Sequence, residues 1–225
     1  MADRTTLVSN PNLTPSEEAH ITVMRAIAQA VADTPMVLKG GTALLLIYGL
    51  DRFSEDLDFD SSKAINLENR IQQAASKHVK VKSIDVLKDT NTVSRYRLVY
   101  ESSHGEGRLK VETSLRTQPM NFQLINGIKV YDLSSLIDQK LNALENRTTA
   151  RDLYDINFLA ITYPEKFSDK QWEKINNLCT DLNALEQRFM PAFEDDLILA
   201  KHDISKLILS LHEAKLNRHL RDKPE

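Results

Sequence analysis

The chain has a single cysteine, Cys179, with no Cys or His neighbour at zinc-ligand spacing. An internal disulfide is therefore excluded, which fits a reducing compartment and leaves helix packing as the expected role of the thiol. The six histidines, His20, His78, His104, His202, His212 and His219, are scattered and form no His-Glu-x-x-His pair, so zinc hydrolase chemistry has no support. Neither a Gly-x-Ser-x-Gly elbow nor a Walker-type phosphate loop occurs. No apolar run approaches the length of a membrane span, and the first residues, Met1-Ala2-Asp3-Arg4-Thr5-Thr6, are polar with no apolar segment behind them. A soluble cytoplasmic protein with no membrane partner is expected. A dominant charge is also missing: 29 basic side chains face 32 acidic ones, for a net charge of −3. No global field draws nucleic acid, and an RNA partner would need a local patch. Internal repeats and low-complexity tracts are absent.

What the chain does have is a pattern that changes character once. Its 225 residues suffice for one large domain or two small ones. Thr14-Pro15-Ser16-Glu17 has the capping-box spacing with proline at the first helical position, and Ile21, Met24, Ile27, Ala28 and Val31 continue at helical spacing, which predicts a helix to about Asp33. A short core strand at Met36-Val37-Leu38 follows, then a glycine turn, a short apolar helix and a strand carrying Asp56 and Asp58. Residues 67–77 read as a helix. Three β-like runs come next, Val79 to Leu87, Val93 to Glu101 and Leu109 to Leu115, with Gly105 and Gly107 as the turn between the last two. Asn126-Gly127 between Phe122–Ile125 and Ile128–Tyr131 is a strong hairpin signal. Beyond it only helices are expected: Leu133 to Asn146, Ala150 to Ile161, Ser168 to Cys179, Leu182 to Phe189 and Asp203 to Leu220. The expected fold class is α+β, a mixed sheet with flanking helices over residues 1–132 and a helical lobe over 133–225. The basic end of the last helix, Lys215 to Lys223, reads as a solvated face or an RNA contact.

The chemistry concentrates between residues 39 and 60. Lys39-Gly40-Gly41-Thr42 is a glycine turn able to approach phosphates, and it feeds the helical run Ala43 to Tyr48, whose N-terminal N–H groups favour phosphate oxygens. Ser54-Glu55-Asp56-Leu57-Asp58-Phe59-Asp60 follows. Strand alternation sets Asp56 and Asp58 on one face, with Leu57 and Phe59 on the core side. Two such carboxylates are hard oxygen ligands suited to Mg²⁺. Alone, the pair also fits a strand end at the solvent edge. Asp60 continues the alternation and reads as a loop or edge carboxylate rather than as a further ligand, the alternative its position also allows.

A Gly-Gly turn, a short helix and Asp-x-Asp on the next strand resemble the nucleotidyltransferase signature. More narrowly, Lys39 to Leu44 with Arg52 to Phe59 resembles the AbiEii-type nucleotidyltransferase toxins of bacterial toxin–antitoxin and phage-defence loci. Lys140-Leu141-Asn142-Ala143-Leu144 with Arg147 and Arg151-Asp152-Leu153-Tyr154-Asp155 resembles that family's later block. The resemblance implies an NTP substrate, with Mg²⁺ or Mn²⁺ held by Asp56 and Asp58, and phosphates met by Lys39, Gly40, Gly41 and Thr42. It places Lys140 on the triphosphate and Asp152 near the nucleotide or acceptor. Asp152 and Asp155 lie almost one helical turn apart on nearly the same face, and either could be the functional carboxylate with the other a salt-bridge or capping support, Asp152 being the favoured one. It further implies an RNA acceptor such as the 3′ end of tRNA, arrested translation and a cognate antitoxin.

Other residues keep two readings. Arg52 and Ser54 contact phosphate oxygens or only shape a turn. Glu112 is a candidate third catalytic and metal carboxylate; it shares a strand face with Arg108, Lys110, Ser114 and Arg116, and equally suits a cross-strand pair with Arg95 or Arg97. Arg95, Arg97, Arg108, Lys110 and Arg116, with Tyr96 and Tyr100 nearby, form either a stripe for an RNA backbone or an ordinary solvated face. The fold also admits a transferase acting on a protein hydroxyl or a small molecule, or a non-catalytic nucleotide-binding or antitoxin-like module.

Overall fold

The computed structural model describes residues 13–221, so the polar N-terminal hexapeptide and the last residues of the basic tail lie outside the described residues. The first helix, α1 (Pro15–Ala30), starts at its capping box: the Glu17 N–H donates to the Thr14 hydroxyl, and the Thr14 N–H donates to the Glu17 carboxylate at 2.7 Å. It stops short of Asp33 because the Thr34 N–H and hydroxyl both donate to the Val31 carbonyl and close a turn.

The chain divides between Tyr131 and Asp132 into two compact units. In the first, β1 (Val37–Lys39) leads directly into α2 (Gly40–Tyr48), then β2 (Leu57–Asp60), α3 (Glu68–Ala75), β3 (Lys80–Asp89), β4 (Val93–Ser102), β5 (Gly105–Ser114), β6 (Phe122–Ile125) and β7 (Ile128–Tyr131). The seven strands form one mixed sheet in the order β3-β4-β5-β2-β1-β7-β6. In it β2 runs antiparallel to β1 and parallel to β5. Leu57 and Phe59 are buried, as the alternation requires. Asn126 and Gly127 both have positive φ, the geometry of the tight hairpin turn expected there.

One turn differs from the sequence expectation. Gly105 and Gly107 lie inside β5, paired with Ser102 and Tyr100, and the reversal falls at Ser103-His104. Gly107 is there for packing: a Cβ at that position would lie 2.2 Å from the Tyr100 ring.

The second unit is helical: α4 (Leu133–Asn146), α5 (Ala150–Thr162), a 3₁₀ turn at Pro164–Lys166, α6 (Asp169–Leu178), α7 (Leu182–Glu194) and α8 (Ile204–Arg221). The capping box at Ser168 and Gln171 is formed. Helix α7 runs beyond the expected Phe189 and through Pro191, which brings Phe193 into the core beside Phe189. Burial of a second phenylalanine, about 1.5–3 kcal/mol, offsets much of the cost of an interior proline. Among the described residues no helix is long and apolar enough to cross a membrane.

Candidate active site

In the first unit the glycine turn and the helix are one feature. Lys39 ends β1 in extended conformation, Gly40 takes a φ of 72°, and α2 begins at Gly40 rather than at the apolar run. The first-turn amides are therefore those of Gly40, Gly41 and Thr42, and the Lys39 side chain does not cap them. Gly41 lets other groups approach this turn: a Cβ there would stand 2.7 Å from Nη2 of Arg52 and 3.2 Å from Oγ of Ser54. Arg52 is only 4 % exposed, and its Nη1 donates to the Phe53 carbonyl at 2.9 Å. The Thr42 hydroxyl lies 2.8 Å from that of Ser54 and donates to the Asp56 carbonyl. Gly40, Gly41, Thr42, Arg52 and Ser54 thus converge at one helix terminus, a favourable setting for anionic oxygens.

The acidic residues stand beside it. Asp58 on β2 pairs in register with Lys39 on β1 and Glu112 on β5, and its Oδ2 comes within 3.8 Å of the position a Gly40 Cβ would take. Asp56 sits one residue before β2, and its carboxylate takes Nζ of Lys110 at 2.5 Å. Burial raises the pKa of Asp58; the Lys110 charge opposes this, and the charges of Asp56 and Glu112 add to it. Lys110 is held above the ordinary lysine range by the hydrogen bond and charge of Asp56 and by the charges of Asp58 and Glu112, against the opposing and largest single effect, burial. The three carboxylates lie within mutual electrostatic reach, and carboxylate oxygen is the donor type that suits Mg²⁺ or Mn²⁺. Among the described residues no group of three or more His, Cys, Asp or Glu side chains is placed to hold a metal ion.

Both readings of Glu112 have a geometric basis. It neighbours Asp58, and Arg95 reaches its Oε2 from Nε and from Nη2 at 2.7 Å each. Three more members of the basic stripe are engaged as well: Arg97 with Asp85 at 2.9 Å, Arg108 with Glu106 at 3.3 Å, and Lys110 with Asp56. Tyr96 and Tyr100 do not interleave with it. Alternation along β4 turns them to the buried side, where the Tyr96 hydroxyl accepts the Leu67 N–H. Asp60 is not an edge carboxylate; it is 3 % exposed, takes Nζ of Lys39 at 2.5 Å and accepts the Tyr131 O–H at 3.0 Å. The ammonium of Lys39 thus lies on the strand-diagonal carboxylate.

Sequence reasoning passed over His20. Its Nδ1 lies 2.7 Å from the Tyr100 hydroxyl and its Nε2 2.9 Å from the Glu55 carbonyl, with the ring edge-on to Phe53 at 5.6 Å. Burial pushes its pKa down, opposed by the hydrogen bond to Glu55 and the charges of Glu55 and Asp56. The available signal was a histidine spaced three, four and seven residues before the core positions Val23, Met24 and Ile27.

In the second unit, Lys140 on α4 holds two buried carboxylates of α5, Asp152 at 2.8 Å and Asp155 at 2.7 Å. Asp152 also takes Nε of Arg147 at 2.8 Å and the Thr149 hydroxyl. Burial, the largest effect, would raise the Asp152 carboxyl. Lys140, Thr149 and Arg147 together outweigh it and bring the pKa down to about 2. Asp152 and Asp155 share Lys140, so their contacts do not divide them into a functional and a supporting carboxylate.

Residues 22–221 match the family described as nucleotidyl transferase AbiEii toxin, type IV TA system. The fold is similar to the crystal structure of JHP933 from Helicobacter pylori, with 37 % identity over 93 % of this chain and 94 % of that one and a TM-score of 0.87. A second H. pylori crystal structure, of a protein provisionally called a nucleotidyltransferase, is 37 % identical over 93 % of this chain and 97 % of that one, with a TM-score of 0.86. No curated protein matches the sequence.

Proposed function

The chain belongs to the AbiEii nucleotidyltransferase toxin family, and from that premise we propose that it transfers an NMP unit from an NTP to an RNA acceptor such as the 3′ end of tRNA, releasing pyrophosphate and arresting translation. The observation that carries the reading is the meeting of the Gly40 helix terminus with the Asp58 carboxylate, a phosphate-binding feature against an acidic one. The first-turn amides with Arg52 and Ser54 take triphosphate oxygens and fix the α-phosphorus for in-line attack by the acceptor hydroxyl. Asp56 and Asp58, with Glu112 as third candidate, would hold Mg²⁺ or Mn²⁺, which when bound neutralises the charge on the attacking and departing oxygens. In the second unit, Lys140 supplies a compact cation of the kind that suits phosphate, and Asp152 and Asp155 hold it in place. A cognate antitoxin and a cytoplasmic setting accompany a toxin of this class.

The test is incubation of purified protein with Mg²⁺, each α-³²P-labelled NTP in turn and total tRNA, beside Asp56→Ala. Label on tRNA from wild type alone supports the reading; transfer retained by the variant sinks the carboxylate assignment.

A second reading, transfer to a protein hydroxyl or a small molecule, is favoured by one observation. Arg95, Arg97, Arg108 and Lys110 are each matched by a carboxylate, so the strand face offers an RNA backbone little net positive charge. Label on protein, at a rate insensitive to salt, would establish it in place of the first.

A further inference from the structure

Asp56 carries much of the proposed chemistry yet stands outside the sheet that fixes Asp58. Strand β2 begins at Leu57, so Asp56 lies just before the residues that pair with β5. Two side chains clamp it instead. The Thr42 hydroxyl, at the first turn of α2, donates to the carbonyl of Asp56 itself. His20, from α1, reaches the carbonyl of Glu55 on the other side and packs its ring edge against Phe53.

A carbonyl only accepts, so Nε2 of His20 carries the proton. In the neutral ring Nδ1 then accepts, and the Tyr100 hydroxyl is its donor at 2.7 Å. Tyr100 is itself fixed by Gly107 on the neighbouring strand, where a Cβ would stand 2.4 Å from its hydroxyl oxygen. A relay of Gly107, Tyr100 and His20 therefore runs from the sheet to the peptide before Asp56. Nothing in Asp-x-Asp or in the glycine turn requires this histidine.

We propose that His20, locked in its Nε2–H tautomer by Tyr100, is a positioning residue that aims the Asp56 carboxylate, an inference that rests on the carboxylate-site reading above. His20 touches neither substrate nor metal; it acts through the backbone of the 53–56 segment. Groups of this kind next to a ligand set are worth about 10–100-fold in metal affinity or activity.

The experiment uses the full chain as wild type, His20→Ala, His20→Gln, Tyr100→Phe and Asp56→Ala. Binding of Mn²⁺ alone is followed by electron paramagnetic resonance, His20 protonation by ¹⁵N NMR, and transfer as kcat and KM for NTP. Expected are an Nε2–H tautomer in wild type, Mn²⁺ affinity and kcat lowered about 10–100-fold in His20→Ala, and an unchanged KM. Tyr100→Phe, which keeps the ring packing, shifts both in the same direction by less. His20→Gln, which restores an N–H donor, recovers part of the loss. An Nδ1–H tautomer, or Mn²⁺ affinity and kcat at wild-type level in Tyr100→Phe and in folded His20→Ala, overturns the proposal. If His20→Ala does not fold, Tyr100→Phe and the tautomer decide. Asp56→Ala separates the two levels: if it retains Mn²⁺ binding and transfer, the carboxylate-site reading itself fails. If it loses both while the His20 and Tyr100 variants keep them, only the positioning role does.

Discussion

Replacing Asp152 by asparagine removes the charge that organises the Lys140 cluster while keeping its shape. The folded carboxyl is held at about 2 against an ordinary 3.8, so the fold favours the ionised form by about 2 kcal/mol. Because the folded pKa is the lower one, this stabilisation is complete above pH 3.8 and is lost as pH falls from there towards 2. Asp152→Asn should therefore cost about 2 kcal/mol at pH 6. That is below the ~3–5 kcal/mol for stripping a buried charge of its only partner, because Lys140 keeps Asp155 at 2.7 Å. With a urea dependence of about 2 kcal/mol per molar, the unfolding midpoint drops by about 1 M. The single tryptophan, Trp172, is buried in the helical unit, so its fluorescence reports on the part of the chain that carries the cluster. A midpoint within about 0.2 M of wild type, or an Asp152 carboxyl titrating near 4 by carbon-detected NMR, would refute the reasoning.

Gly41→Ala places a methyl group 2.7 Å from Nη2 of the buried Arg52. NTP affinity should fall about tenfold while stability changes by less than about 1 kcal/mol, since alanine favours a helix; titration calorimetry and urea melts read the two separately. Lys110→Ala removes the cation that opposes the raised pKa of Asp58, so in metal-free protein that carboxyl should titrate at still higher pH, as NMR will show. Thr14→Ala breaks the capping box of α1 and should cost about 1 kcal/mol in urea denaturation with no change in Mn²⁺ affinity.

Local rules made much of the fold readable. Capping boxes at Thr14 and Ser168, the Asn126-Gly127 hairpin and the limits of α4 follow from contacts within a few residues, and there sequence and structure agree. The glycines of β5 were not readable in the same way. Gly105 and Gly107 look like a turn in sequence, but Gly107 answers to the Tyr100 ring on the next strand, a contact known only once β4 and β5 are in register. The candidate site divides along the same line. Asp56 and Asp58 could be paired from strand alternation, whereas Glu112 joins Asp58 only because β2 pairs with β5 in parallel, a matter of topology. His20 sits on an otherwise apolar helix stripe, and its partners belong to β4 and to the segment before β2.

The three aspartates at alternate positions show what strand periodicity alone leaves undetermined. Asp56, Asp58 and Asp60 are equivalent by alternation, yet depth and neighbours give them separate environments. Asp60 lies deepest, and a bare carboxylate there would be costly, so Lys39 and Tyr131 satisfy it. Asp58, between Lys39 and Glu112, has a raised pKa because burial and two like charges outweigh the nearby lysines. Asp56, nearest the strand entrance and one-third exposed, reaches Lys110 instead. A divalent cation would relieve the like-charge repulsion at Asp58, whereas at Asp60 it would have to displace Lys39, bound at 2.5 Å, and at Asp56 the equally close but more exposed Lys110. Burial and ion pairing therefore separate three carboxylates that the alternating pattern leaves equivalent.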